Sequence, residues 1–234
     1  MTLLLVLLFG LTIFLGTIIT LVSNKKGVQE LSLAMAFSVV ILLVIFELIP
    51  ESFEHLGYYS IIFIIIGMAL IKVLDLFIPE HHHTSNSSHI LHIGIITCIA
   101  LVLHNLIEGM ALYTTLENDL TTGLLTGFAI SLHNIPMGMV IGTTLYDKNK
   151  SISKTLLISF LISLSTFMGG LLIFLFNNVF ENMDFLLAIT TGMLIYMALF
   201  ELLHHLKHQN KKNTIIGLII GVVVFLISIT FHTH

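Results

Sequence analysis

Residues 103–116, LHNLIEGMALYTTL, recur twenty-nine positions later as LHNIPMGMVIGTTL at 132–145, with eight of the fourteen residues identical. The shared residues include the His-Asn pair, the Gly five positions after the His, and the closing Thr-Thr-Leu. Both copies lie inside apolar runs long enough to cross a bilayer, about 20 residues each. Imidazole and amide groups are therefore carried at membrane depth twice, in the same order, and a carboxylate once. An ionised side chain at the bilayer centre costs roughly 2.5–3.5 kcal/mol on insertion scales, so such groups need a partner or a task.

The rest of the chain has the same character. It has 234 residues, 56% hydrophobic and only 9% charged, with a mean hydropathy of +1.06. Soluble domains carry about a quarter charged residues, so the composition predicts an all-α integral membrane protein. Nothing suggests nucleic acid as a partner, because the lysines form no aromatic-interleaved basic patch. The single Cys98 excludes an intrachain disulfide. Windows of about 19 residues pick out eight spans, at 3–22, 31–50, 58–78, 93–115, 121–145, 152–176, 185–206 and 213–231. The connections are short, so residues 1–234 are expected to form one transmembrane domain.

All nine basic residues are lysines. Lys25, Lys26, Lys148, Lys150, Lys154, Lys207, Lys211 and Lys212 lie in or beside alternate connections, and Lys72 is near the same end of the third span. The opposite connections carry Glu51, Glu54, Glu117, Asp119, Glu181 and Asp184 instead. By the positive-inside rule the lysine-bearing side is cytoplasmic and both termini are extracytoplasmic. No basic residue precedes the first span, which is too long for a typical signal-peptide core, so it is expected to be retained.

The fourth span runs outward and the fifth returns. At about 1.5 Å per residue, His104 lies roughly 16 Å into its helix and His133 roughly 18 Å into its own, both near the midplane. His104 and Glu108 are four residues apart, and Asn105 and Glu108 three apart, so one helix face presents them. In the second copy Met137 stands where the first has Glu108. Pro136 deprives the Leu132 carbonyl of its helical partner, leaving an oxygen that can line a cavity or mark a hinge. Imidazole, amide and carboxylate donors converging without water suit a borderline divalent cation: zinc first, with iron(II), manganese, cobalt and cadmium also fitting. Buried polar groups also serve as plain hydrogen bonds between helices. Duplication on oppositely directed helices favours the metal reading. Such segments are the product of an inverted repeat, and transporter sites form at the midplane between repeats of this kind.

At these residues the chain resembles the ZIP family (Zrt-, Irt-like proteins) of divalent metal transporters. HNLIEG at 104–109 is similar to the family's fourth-helix HN-x-P-E-G motif, and HNIPMG at 133–138 to its fifth-helix HNIPEG motif. FELIPE at 46–51 resembles the second-helix Pro-Glu ending. LDLFIP at 74–79, followed by His81, His82 and His83, resembles the third-helix exit and a His-bearing cytoplasmic loop, here about 79–92. GMLIY at 192–196 with ELL at 201–203 resembles the seventh-helix signature. The resemblance covers nearly the whole chain. It implies eight helices with both termini outside, in the plasma membrane, and transport of zinc or a related cation towards the cytoplasm. It implies a core site on helices 4 and 5 made by His104, Asn105, Glu108, His133 and Asn134. It also implies a homodimer, alternating access with helices 1, 4, 5 and 6 moving against the rest, and often a second metal bridged by carboxylates.

The sequence departs from the family at three places. Met137 replaces the fifth-helix Glu, Thr166 stands where a sixth-helix Glu falls, and Ile107 replaces the fourth-helix Pro. With one carboxylate among the core ligands, two adjacent dications would be poorly compensated at low dielectric, so one ion is expected. Met137 is expected to pack, with its thioether as a reserve ligand for a soft ion. Glu47, in the outer part of the second span, is the expected entrance residue, with Glu51, Glu54 and His55 concentrating cations outside it. The resemblance makes Asp75 and Glu201 the expected exit ligands, near His81 to His83, His89, His92, His204, His205 and His208. No catalytic cofactor is expected; the cation is cargo. Two other readings stay open: a non-transporting membrane metal sensor, suggested by Met137 and Thr166, and an intramembrane metal-dependent hydrolase. No HExxH motif supports the latter.

Overall fold

A computed structural model describes residues 1–23, 26–77, 86–149, 151–176, 184–207 and 209–231 and, within these, all side chains except those of 75–77, 86–97 and 147–149. In hydrocarbon every backbone N–H and C=O must be paired within its own segment, which makes apolar runs of this length helical. Every regular element among the described residues is a helix. The first span is α1 (Thr2–Gly10) and α2 (Thr12–Ser23), interrupted at Leu11; the second is α3 (Lys26–Leu43) and α4 (Ile49–Leu56), joined by a π-helical turn at Val44–Leu48. Then come α5 (Tyr59–Phe77), α6 (Asn86–Asn118), α7 (Leu120–Asn149) and α8 (Ile152–Phe176). The seventh span is α9 (Asp184–Tyr196) and α10 (Leu203–Leu206) around a second π-helical turn, Met197–Leu202, and α11 (Lys211–Phe231) is the last.

Seven of these stretches are long and apolar enough to cross a membrane. The remaining expected span is α5, whose described apolar stretch, Tyr59–Leu74, is shorter. One expectation needs correcting. The loop placed at about 79–92 is helical from Asn86 onward, because no Pro or Gly interrupts residues 86–93 and polarity alone does not end a helix. His81 to His83 and His208, and the side chains of Asp75, His89 and His92, lie outside the described residues.

The breaks have local causes. Pro50 has no N–H to offer the Phe46 carbonyl, and the chain widens just before it: Ile49 N–H reaches back five residues to the Val44 carbonyl. Gly57 closes α4 at φ +55°, a conformation that favours glycine, and its N–H bonds the Phe53 carbonyl at 2.8 Å. Asp119, the one residue between α6 and α7, accepts from Thr122 N–H at 2.9 Å and from the Thr122 hydroxyl at 2.5 Å. That is an N-cap. The Thr122 hydroxyl first, then its amide, hold the Asp119 carboxyl below the usual carboxylate range. A depressed carboxyl stabilises the fold above its unfolded pKa of about 3.9, and that contribution is lost as pH falls through the lower folded value. Asp119→Ala should therefore lower the Tm of the detergent-solubilised chain at pH 7, and the difference should shrink as the pH is taken below about 3.9.

Packing depends on glycines at helix crossings. A Cβ at Gly16 would run into the Ile135 carbonyl, and one at Gly138 into the Ile13 carbonyl. The same reciprocal contact joins Gly109 to Thr166 and Gly169 to Leu106, and again Gly67 to Ile189 and Gly192 to Ile64. In each case a glycine faces the carbonyl three positions before the partner glycine, a close approach that any side chain would prevent. α3 and α11 lie alongside in the same direction, with Gly217 against Leu31 and Gly221 against Met35. Most polar ties follow the same pairing, while Ser228 Oγ donates to the Ala129 carbonyl at 2.9 Å and links α11 to α7. Thr17 Oγ1 donates to the Gly138 carbonyl at 2.8 Å and shares a 2.6 Å hydrogen bond with Ser159 Oγ, linking α2, α7 and α8. Asn213 Nδ2 donates to Glu30 Oε2 at 2.7 Å, linking α11 to α3, and His55 lies 3.7 Å from Asp184, linking α4 to α9. The closest crossings thus join spans 1, 4, 5 and 6 in one group and spans 2, 3, 7 and 8 in another, and the two groups share an apolar core to which every span contributes.

Candidate metal centre

α6 positions His104, Asn105 and Glu108; α7 positions His133 and Asn134. Both helices belong to the first group, and the glycine crossings at Gly109 and Gly138 fix them one turn beyond these residues. Glu108 is the hub. Its Oε1 lies 2.7 Å from His133 Nε2, within hydrogen-bond reach, and 3.7 Å from His104 Nε2, beyond it. Asn134 Nδ2 donates to Glu108 Oε2 at 3.4 Å. The imidazole centroids are 6.3 Å apart. One donor atom from each of His104, Glu108 and His133 can be chosen so that all lie within 4.8 Å of one another. Two ligands on tetrahedral zinc, each at about 2.0–2.2 Å, sit somewhat closer, a difference that small side-chain rotations close.

Burial sharpens the chemistry. His104 and His133 are each 3% exposed, and Asn105 and Asn134 are fully buried. Even so, His104 Nε2, both amide atoms of Asn105, Asn134 Oδ1 and His133 Nδ1 have no hydrogen-bond partner. Buried polar atoms are nearly always paired, so several orphaned lone pairs around one carboxylate form a set that a cation would satisfy. In the hydrogen bond with Glu108, His133 Nε2 carries the proton. Coordination through Nε2 requires that proton to leave, because a metal takes the lone pair of neutral imidazole.

His104, Glu108 and His133 line one end of a cavity of about 220 Å³. From there it follows a single stripe on each ligand-bearing helix, Ala111 and Thr115 on α6 and Ile130, Thr126 and Thr122 on α7. It therefore extends towards the connection at Asp119, the end free of lysines. Its opposite wall comes from the second span, including Glu47 and Glu51. The threonines were not singled out from the sequence. Stepping outward from His133 and Glu108 by three or four residues along one helix face finds them.

The other expected residues are dispersed. Glu47 lies on the cavity wall, within the π-helical turn Val44–Leu48. Met137 is 1% exposed and belongs to the apolar core with Leu101, Val140 and Ile141, away from the cavity lining. Asn105 is likewise not part of the lining. Glu201 is buried within the second π-helical turn. The side chain of Asp75 lies outside the described residues.

The chain has relatives in sequence. A family model described as "ZIP Zinc transporter" matches residues 78–229. A protein named zinc transporter ZupT from Chlorobium luteolum is 33% identical, with 99% of this chain and 97% of the relative covered. ZupT of Lysinibacillus sphaericus is 31% identical over 95% of this chain and 96% of its own length; ZupT of Chlorobaculum parvum is 30% identical over 96% and 95%. Seven apolar helices long enough to span a bilayer, together with these matches along the sequence, make this a multi-pass integral membrane protein, and the chain belongs to the ZIP family.

Proposed function

We propose that this chain carries divalent cations, zinc foremost, across the plasma membrane towards the cytoplasm, through a single site made by His104, Glu108 and His133 with Asn105 and Asn134 behind them. The observation that carries the reading is the cluster itself: two buried imidazoles and one partly buried carboxylate within 4.8 Å, near midspan, at the end of a cavity that leads to the lysine-free side. The names of the ZupT relatives support zinc as the first ion to test. Iron(II), manganese, cobalt and cadmium suit the same donors less specifically.

In this reading the lysine-free end is extracytoplasmic, and both termini lie there. Spans 4 and 5 are inverted copies of each other, and the reciprocal glycine crossings support a wider inverted repeat, since the pairings 1 with 5 and 6 with 4 mirror each other. A cation enters past Glu47 and Glu51, loses water to the threonine-lined wall, and meets Glu108 and the two histidines. Neutral imidazoles and a carboxylate replace its hydration shell. Below the site Met137, Val140 and Ile141 are packed and apolar, so release to the lysine-bearing side requires the two helix groups to shift against each other. Asp75 and Glu201 stand on that side as exit ligands. A homodimer in the bilayer is the assembly we favour.

The purified chain in sealed vesicles loaded with a zinc-sensitive dye should give saturable uptake, and equilibrium dialysis should find one tightly held zinc per chain. Zinc held without flux would establish a sensor instead. Two tightly held ions would overturn the single-ion site.

A further inference from the structure

The two π-helical turns share a sequence and a geometry. Glu47 sits in Phe46-Glu47-Leu48 and Glu201 in Phe200-Glu201-Leu202. In each, the five-residue hydrogen bond runs from the residue two after the Glu to the carbonyl three before it: Ile49 to Val44 and Leu203 to Ala198. Such turns are rare, and they concentrate at functional sites because the widened backbone re-aims a side chain. Their host spans run in opposite directions, so the two carboxylates lie towards opposite ends of the bundle. Glu47 is nine residues from the end of α4 at Leu56 and Glu201 five from the end of α10 at Leu206.

The candidate site is short of charge. Two neutral imidazoles and one carboxylate leave a bound dication with a net positive charge in a low-dielectric setting, and that is costly. Glu47 faces His104, Glu108 and His133 across the same cavity. His104, whose Nε2 is buried and without a hydrogen-bond partner, lines the same cavity from α6. The three site residues belong to one helix group, whereas Glu47 and Glu201 belong to the other.

We infer that Glu47 is the cation's second carboxylate only while the site faces the lysine-free side, and that Glu201 on the equivalent turn replaces it when the site faces the lysine-bearing side. The missing charge is thus supplied by the part of the protein that the site moves past. The ion is compensated at each end of its path and is not held equally tightly throughout. This rests on the reading of His104, Glu108 and His133 as the cation site.

The test is zinc flux through the full chain in oriented vesicles, with the half-saturating concentration measured separately from each face. Glu47→Gln should raise it about tenfold from the lysine-free face, equivalent to about 1.4 kcal/mol, and leave the lysine-bearing face within about twofold. Glu201→Gln should do the reverse, and Glu47→Asp, which keeps the charge, should shift less than Glu47→Gln. Equal shifts at both faces, or none, would overturn the inference. His133→Ala, assayed in parallel, separates the two levels. If it transports as well as the unsubstituted chain, the site reading itself fails. If it is inactive while Glu47→Gln lacks a face-selective effect, only the exchange of carboxylates fails.

Discussion

Glu108→Gln should reduce zinc uptake into vesicles about 100-fold or more, with the chain still folded by size-exclusion chromatography. The substitution keeps the shape of the side chain and removes its charge, while His133 and Asn134 keep a hydrogen-bonding neighbour at 2.7 and 3.4 Å. Removing one partner from a buried charged interaction costs about 3–5 kcal/mol, and each 1.4 kcal/mol is about tenfold in affinity. No other carboxylate belongs to the three-residue cluster, and Glu47, on the opposite wall of the cavity, is not placed to take over the hydrogen bonds of Glu108 to His133 and Asn134. Glu108→Asp, shorter but charged, should retain measurable uptake. Uptake by Glu108→Gln at more than about a tenth of the unsubstituted rate would remove the hub from the site.

Gly138→Leu should have an effect of similar size by a different route. The chain should fail to accumulate as a monodisperse species. Gly138 faces the Ile13 carbonyl, and the partner Gly16 faces the Ile135 carbonyl. A side chain there meets backbone on the facing helix, which a rotamer change cannot relieve. Overpacking typically costs about 1–3 kcal/mol, and backbone against backbone puts this position at the top of that range. Gly27→Ala is the control. Its nearest neighbour is Asn213 Nδ2 at 3.4 Å, the mobile end of a side chain, so the variant should behave like the parent in the same chromatographic assay.

Much of this architecture is legible in the sequence alone. A bilayer forces long apolar runs into helices, and seven of the eight expected spans are helices long and apolar enough to cross it. The doubled His-Asn pairs marked the two helices that meet at Glu108, because a charged or strongly polar group at midspan needs a reason. Other features were not legible. The hydrogen bond between His133 and Glu108 depends on how α6 and α7 are rotated, which the glycine crossings set and residue spacing does not reveal. The π-helical turns at Glu47 and Glu201 replace an i+4 bond by an i+5 bond within an otherwise apolar helix. At the first, Pro50 gives a reason in retrospect; at the second, no proline is present. The start of α6 at Asn86 was hidden because its first turns are polar, and hydropathy reports membrane, not helix.

The one-residue link at Asp119 has a consequence for ion size. It is a fulcrum with two stiff arms. Glu108 stands ten residues before Asn118 and His133 thirteen after Leu120, about 15 and 20 Å along their helices. At that reach, a change of about 3° in the angle between the arms alters the bite of the ligands by about 1 Å, more than the difference between zinc–nitrogen bonds of about 2.0–2.1 Å and calcium–oxygen bonds of about 2.3–2.6 Å. On the proposed site, the bite of the ligands would thus depend on how firmly the Asp119 cap and the glycine crossings at Gly109 and Gly138 hold the angle between the arms.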